Sequence, residues 1–268
     1  MKRKREMETK SEIRSAIEEL SMLTKAQPAA AAAGDVNLDL AHIPTKPFLH
    51  VCTLILQVLD KIGPTMAVLR QDIHQNIQRL EILCESDPTK YSNLIEMLKK
   101  EESEGNARKG SSCSKAFLWL TRSMDFMVAL LQRLVKEPGQ NMEQAVQESY
   151  NVTLKPRHGW ISSAAFKQPN GLNEPRDYPV LGSCNHRPDL SLGIIFKDCL
   201  ELYFIYTFYV ALKLVPDNKT FTSLLMTKDQ NYDNLKEDMQ TLISLLVPLL
   251  EQIHSILRFY RLDRLKSS

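Results

Sequence analysis

The chain has 268 residues, 34 basic and 32 acidic side chains for a formal net charge of +2, and 43% hydrophobic residues. Against roughly 100 to 200 residues per domain, that length fits one domain with additions and a sizeable core. Near-neutrality supplies no overall field for nucleic acid, and nucleic-acid binding is not expected.

The chain opens Met1-Lys2-Arg3-Lys4-Arg5 with no apolar h-region behind it, so no secretory signal peptide is predicted. The basic run reads as a solvated tail or a nuclear-import address. Cys52, Cys84, Cys113, Cys184 and Cys199 are odd in number and widely spaced, with no CxxC pair. Reduced thiols in a cytoplasmic protein are expected.

Ser11 to Leu23 carries helical periodicity through Ile13, Ile17, Leu20 and Leu23, followed by Pro28 and an Ala-rich stretch to Gly34. Residues 1–43 therefore read as an N-terminal extension with a short accessory helix and a linker. From Pro47 onward the pattern is almost wholly helical. Pro64 suits the first turn of a helix running through Asp72 to Leu83, because its missing donor is not needed there. Asp87-Pro88-Thr89 breaks that helix before another containing Tyr91, Leu94, Ile95 and Leu98, and Gly105 to Ser114 reads as a polar loop.

The next helix, from about Lys115 to Val135, has two apolar stripes. One is Phe117, Leu120, Met124, Met127, Leu131 and Leu134, the other Trp119, Phe126 and Leu130. Both sides need cover, which predicts a central helix in a layered bundle. Met142 to Leu154 forms a further helix. A long C-terminal helix follows from Leu235, Met239, Leu242, Leu246, Leu249, Ile253 and Ile256, with a kink expected at Pro248. No period-2 run competes. The longest uncharged apolar run, Leu202 to Leu212, is well short of the roughly 20 residues needed to cross a bilayer. The protein is expected to visit membranes rather than cross them.

Asp72, Asn76 and Arg79 stand at i, i+4 and i+7, within about 60° on one helix face. The chain's two tryptophans lie in Phe117-Leu118-Trp119-Leu120-Thr121-Arg122 and His158-Gly159-Trp160. Each feature alone has a bland explanation: a core aromatic, a satisfied helix-end histidine, a solvated face. Together they suit a polar headgroup held over an apolar pocket.

These motifs, with Pro44-Thr45-Lys46-Pro47-Phe48, Leu69-Arg70-Gln71-Asp72-Ile73 and Val210-Ala211-Leu212-Lys213-Leu214-Val215-Pro216, resemble the glycolipid transfer protein family, especially its plant members. The resemblance covers roughly residues 44 to 167 and 210 to 262. It implies an all-α, two-layer helical sandwich enclosing an apolar lipid pocket, with the domain at 44–262 and a tail at 263–268. By resemblance, Asp72, Asn76 and Arg79 bond sugar and sphingoid amide groups, Trp119 stacks on the first sugar, and His158 bonds the ceramide carbonyl. Met66, Leu69, Phe126, Leu130, Leu154 and Phe166 align with chain-pocket positions. Trp160, apolar with one polar edge, suits membrane contact.

The implied function is binding and intermembrane transfer of sphingolipids, with no cofactor or metal. A 16-carbon chain brings on the order of 12 kcal/mol of gross stabilisation in bilayer or pocket alike, so selectivity rests on headgroup contacts. Asn76 and Trp119 favour an uncharged sugar. Arg79 stands where lysine is common and presents a planar fork instead. Alternatives are a ceramide-1-phosphate carrier and a sphingolipid sensor that reports to a protein partner without transferring. Asp72 and His158 could in principle form an acid-base pair, but no GxSxG elbow, HExxH helix, P-loop or dinucleotide glycine pattern accompanies them, and no enzymatic activity is expected.

Residues 168–209 interrupt the family pattern inside an otherwise continuous helix. Pro169, Pro175, Pro179 and Pro188 make the first part loop-like, and the end is aromatic, Leu202-Tyr203-Phe204-Ile205-Tyr206. The stretch reads as an in-frame retained intron or as a surface excursion covering the lipid entrance.

Overall fold

The computed structural model describes residues 10–25, 42–157 and 212–266. In chain order the helices are α1 (Glu12–Lys25), α2 (Thr45–Asp60), α3 (Ala67–Ser86), α4 (Leu94–Ser103), α5 (Cys113–Lys136), α6 (Met142–Thr153), α7 (Asn218–Leu225) and α8 (Tyr232–Phe259). Short 3-10 turns at Pro64–Met66, Lys90–Ser92 and Lys155–Arg157 punctuate them. Among the described residues the only β feature is an isolated bridge between Pro44 and Asn93.

Local chemistry sets the helix starts. Gly63, at φ 90°, turns the chain out of α2, a conformation open to glycine at little cost, and Pro64 then opens the turn into α3. The Asn93 carboxamide oxygen accepts from Ile95 N at 3.2 Å and from Ile43 N at 2.9 Å. One side chain thereby caps α4 and ties it to the entry of α2. Because that cap fixes where α4 begins, Tyr91 falls in the preceding 3-10 turn rather than in the helix. The Glu101 carboxylate accepts from Cys113 N at 2.9 Å and Ser114 N at 2.7 Å, placing an anion on the orphan donors that open α5.

α5 is the central helix, packed by α3, α4, α6 and α8. The stripe from Phe117 through Leu134 is buried, as are Phe126 and Leu130 on the other side. Phe117 meets Phe48 of α2 edge-to-face, with centroids 5.2 Å apart. α1 lies between α2 and α8, which closes the arrangement around one core cluster.

The position of α1 differs from that of an accessory element. Ile13, Ala16, Leu20 and Leu23 are buried in the shared core, and Arg14 pairs with Asp238 of α8 at 2.8 Å while Glu12 pairs with Lys61 at 2.9 Å. Its apolar stripe finds the cover it needs on the sandwich itself.

α8 continues through Pro248 without interruption. The proline removes the donor that would serve the Ser244 carbonyl, and both residues are exposed, so water can serve it instead. By length and composition α8 could cross a membrane. Its apolar positions Leu235, Met239, Leu242, Leu246, Ile253 and Ile256 are instead buried in the core shared with α1 and α5. Cys52, Cys84 and Cys113 are free thiols.

Candidate functional site

The α3 triad is assembled as its spacing predicts. Asn76 is 5% exposed, and its Nδ2 donates to Asp72 Oδ2 at 3.1 Å. Asp72 is exposed to water, yet protein atoms crowd its carboxyl, and this crowding raises its pKa above the ordinary 3.8. The Arg79 charge, the Asn76 hydrogen bond and the Lys115 charge pull the other way without cancelling it.

Lys115 belongs to α5, so its effect on Asp72 brings the two helices together at this point. A second tie lies nearby, where Cys113 Sγ donates to the Arg79 carbonyl at 3.9 Å. Burial, then the Glu101 charge, pushes the Cys113 thiol up to about 11. It is therefore no nucleophile at neutral pH.

Trp119 is half-buried one turn beyond Lys115. At 100° per residue, Lys115, Trp119, Phe126 and Leu130 share an arc of about 60° on α5. That face runs from a cation and an indole to two fully buried apolar side chains. It has the polarity of an amphiphile laid along the helix.

The other described positions expected to line a chain pocket are apolar. Met66 is fully buried, Leu154 nearly so, and Leu69 is half-buried against the core. A separate groove of about 270 Å³, lined by Ala129, Gln132, Arg133, Lys136, Glu137 and Val152, contains none of them. His158, Trp160 and Phe166 lie outside the described residues.

Two residues escaped sequence reasoning. Lys115, only 8% exposed, could have been found as a lysine one turn before Trp119 on the face that continues into Phe126 and Leu130. Arg122 closes the motif that begins at Phe117 and contains Trp119. It is 3% exposed, and its guanidinium carbon lies 4.7 Å from the centre of the Trp119 ring.

The sign of the Asp72 shift gives a stability prediction. A carboxyl whose pKa is raised by folding contributes stability that is full below 3.8 and lost as pH rises through the folded-state value. At neutral pH the ionised group therefore opposes folding. Asp72→Asn should melt higher than the parent at pH 7, with the gap closing as pH falls below the carboxylate range. An unchanged gap between pH 7 and pH 3 in thermal scans would show that the crowding does not govern this carboxyl.

An all-α sandwich with a polar cluster between two helices and an apolar stripe leading away from it has the architecture of a lipid-carrier domain. Solved structures share the fold. A mutant of Arabidopsis accelerated-cell-death 11 complexed with C12 ceramide-1-phosphate superposes with a TM-score of 0.67 at 16% identity, over 96% of this chain and 100% of that one. The structure describing how FAPP2 selects simple glycosphingolipids gives 0.61 at 22% identity, over 85% of this chain and 91% of that one. In sequence, Arabidopsis thaliana glycolipid transfer protein 3 is 51% identical and glycolipid transfer protein 2 is 47% identical, each alignment covering 100% of both chains. The glycolipid transfer protein family model matches residues 43–169. The chain belongs to the glycolipid transfer protein family.

Proposed function

We propose that this protein binds sphingolipids with an uncharged sugar headgroup and carries them between membranes. The observation that carries the reading is the face of α5 from Trp119 to Phe126 and Leu130, set beside Asp72, Asn76 and Arg79 of α3. In this reading the α3 triad and Trp119 hold sugar and amide, and His158 takes the ceramide carbonyl. Met66, Leu69, Phe126, Leu130, Leu154 and Phe166 receive the chains. Trp160 meets the membrane surface during transient visits from the cytoplasm. A sensor would bind the same lipid and fail to move it.

The segment 168–209 is read as an interruption of the domain, most simply a retained intron. Support comes from the family match, which ends at residue 169, where the interruption begins. A dominant transcript containing the whole segment would defeat the intron account.

A second reading, a ceramide-1-phosphate carrier, is favoured by one observation. Lys115 and Arg79 bring two cations to the single carboxylate of Asp72. Vesicle-to-vesicle transfer of glucosylceramide, galactosylceramide and ceramide-1-phosphate, run with the full chain and with a chain lacking 168–209, tests both. The sugar reading expects glycosylceramide transfer that is as strong or stronger without the segment, and that survives Lys115→Met. Transfer of ceramide-1-phosphate alone, lost in Lys115→Met, would establish the phosphate reading instead. Binding of glycosylceramide without transfer would make the protein a sensor.

A further inference from the structure

Arg122 is placed at high cost. Burial, then the nearby Arg157 charge, lowers its pKa to about 10, with Asp125 and Asp263 opposing. Its Nη1 is buried with no hydrogen-bond partner. A guanidinium kept only for stability would be better replaced by an apolar side chain of similar volume, because desolvating a charge consumes most of what its contacts return. Its contacts point to a different use.

The guanidinium lies against the Trp119 ring, so a sugar stacking on that indole could use only the opposite face. The same guanidinium reaches the chain's far end. Nη2 donates to the Asp263 carbonyl at 3.0 Å and to the Leu265 carbonyl at 2.6 Å. Two further arginines grip this segment, Arg157 through the Asp263 carbonyl at 3.2 Å and Arg108 through the Tyr260 carbonyl at 3.0 Å. The reversal they hold is a sharp one, since Arg261 sits at φ 53° and Leu262 is fully buried. These carbonyls are fixed acceptors, and they fix the plane of the guanidinium in turn.

We propose that Arg122 is a positioning residue for headgroup recognition, holding the Trp119 indole in a sugar-stacking orientation by anchoring it to the backbone of Asp263 and Leu265. The proposal rests on the sugar-headgroup reading and adds a residue and a segment to it. Lysine in place of Arg122 keeps a positive charge but has no plane to lie on the indole, and its ammonium, on a different stem, does not hold the place from which Nη2 reaches both carbonyls.

The test uses the two tryptophans. In a Trp160→Phe background all indole emission comes from Trp119, and water-dispersible short-chain glucosylceramide and ceramide serve as probes, so membrane docking does not enter. Arg122→Lys should lower Trp119 anisotropy and shift its emission. It should also reduce the preference for glucosylceramide over ceramide by about tenfold, while far-UV circular dichroism stays that of the parent. Ending the chain after Arg264 removes the Leu265 acceptor, keeps the Asp263 carbonyl as an amide and leaves Arg122 in place. It should move the same three readouts in the same direction, and it carries the test if Arg122→Lys does not fold.

Parent-like Trp119 emission and parent-like preference in the variants would overturn the proposal. Equal weakening for glucosylceramide and ceramide would overturn it too, since that is what a merely structural arginine gives. A parent that does not distinguish glucosylceramide from ceramide would bring down the sugar reading and the proposal together. A discriminating parent with indifferent variants brings down only the role of Arg122.

Discussion

Trp119→Ala loses glycolipid transfer while keeping its fold. The indole is half-buried rather than part of the sealed core, so truncation costs the scaffold less than loss of a fully buried aromatic. In the proposed site the position is central, with Lys115 one turn before it on the same face and Arg122 against its ring. Removing an aromatic anchor of this kind costs about 2 kcal/mol of binding, roughly thirtyfold in affinity. Chain burial does not compensate, because apolar transfer from bilayer to pocket nearly cancels. Transfer of glucosylceramide between vesicles should fall by at least that factor, with circular dichroism and melting close to the parent's. Undiminished transfer by Trp119→Ala would remove the indole from the site, and with it the main reason to expect a sugar.

Phe117→Ala, two residues away, has the opposite profile. Successive α-helical positions are 100° apart, so Phe117 points roughly away from Trp119 and into the core. It is fully buried and meets Phe48 edge-to-face across α2 and α5. Truncating such a ring costs about 3 to 5 kcal/mol, from lost transfer energy and the void left behind. At about 2 to 4 °C per kcal/mol for a chain of this size, melting should drop by about 6 to 20 °C. Phe117→Leu, which fills most of the void, should lose much less. Below its melting point the Phe117→Ala protein should retain the parent's preference among lipids, since none of the headgroup residues has moved. A melting shift under about 2 °C in thermal scans would mean that the site collapses around the lost ring.

The contrast shows what residue pattern carries. α3 and α5 are legible because apolar residues recur at helical spacing and Pro64, Pro88 and the Gly105–Ser114 loop punctuate them. The Asp72–Asn76 hydrogen bond is legible for the same reason, i and i+4 being neighbours on any helix. Boundaries were less legible, because single side chains from elsewhere decide them. Asn93 starts α4 only because its amide oxygen also holds Ile43, and Glu101 caps α5 from the preceding helix.

By itself, then, the sequence determined the helical class, the central position of α5 with its two apolar stripes, and the grouping of Asp72, Asn76 and Arg79. All of these are local, set by periodicity within one segment. Tertiary structure alone decided that α1 packs into the sandwich between α2 and α8, that Lys115 bears on Asp72, and that Arg122 joins Trp119 to the carbonyls of Asp263 and Leu265. Those relations link distant parts of the chain through burial, charge and hydrogen bonding. No spacing within a segment encodes them, because they exist only once the helices have been brought into contact.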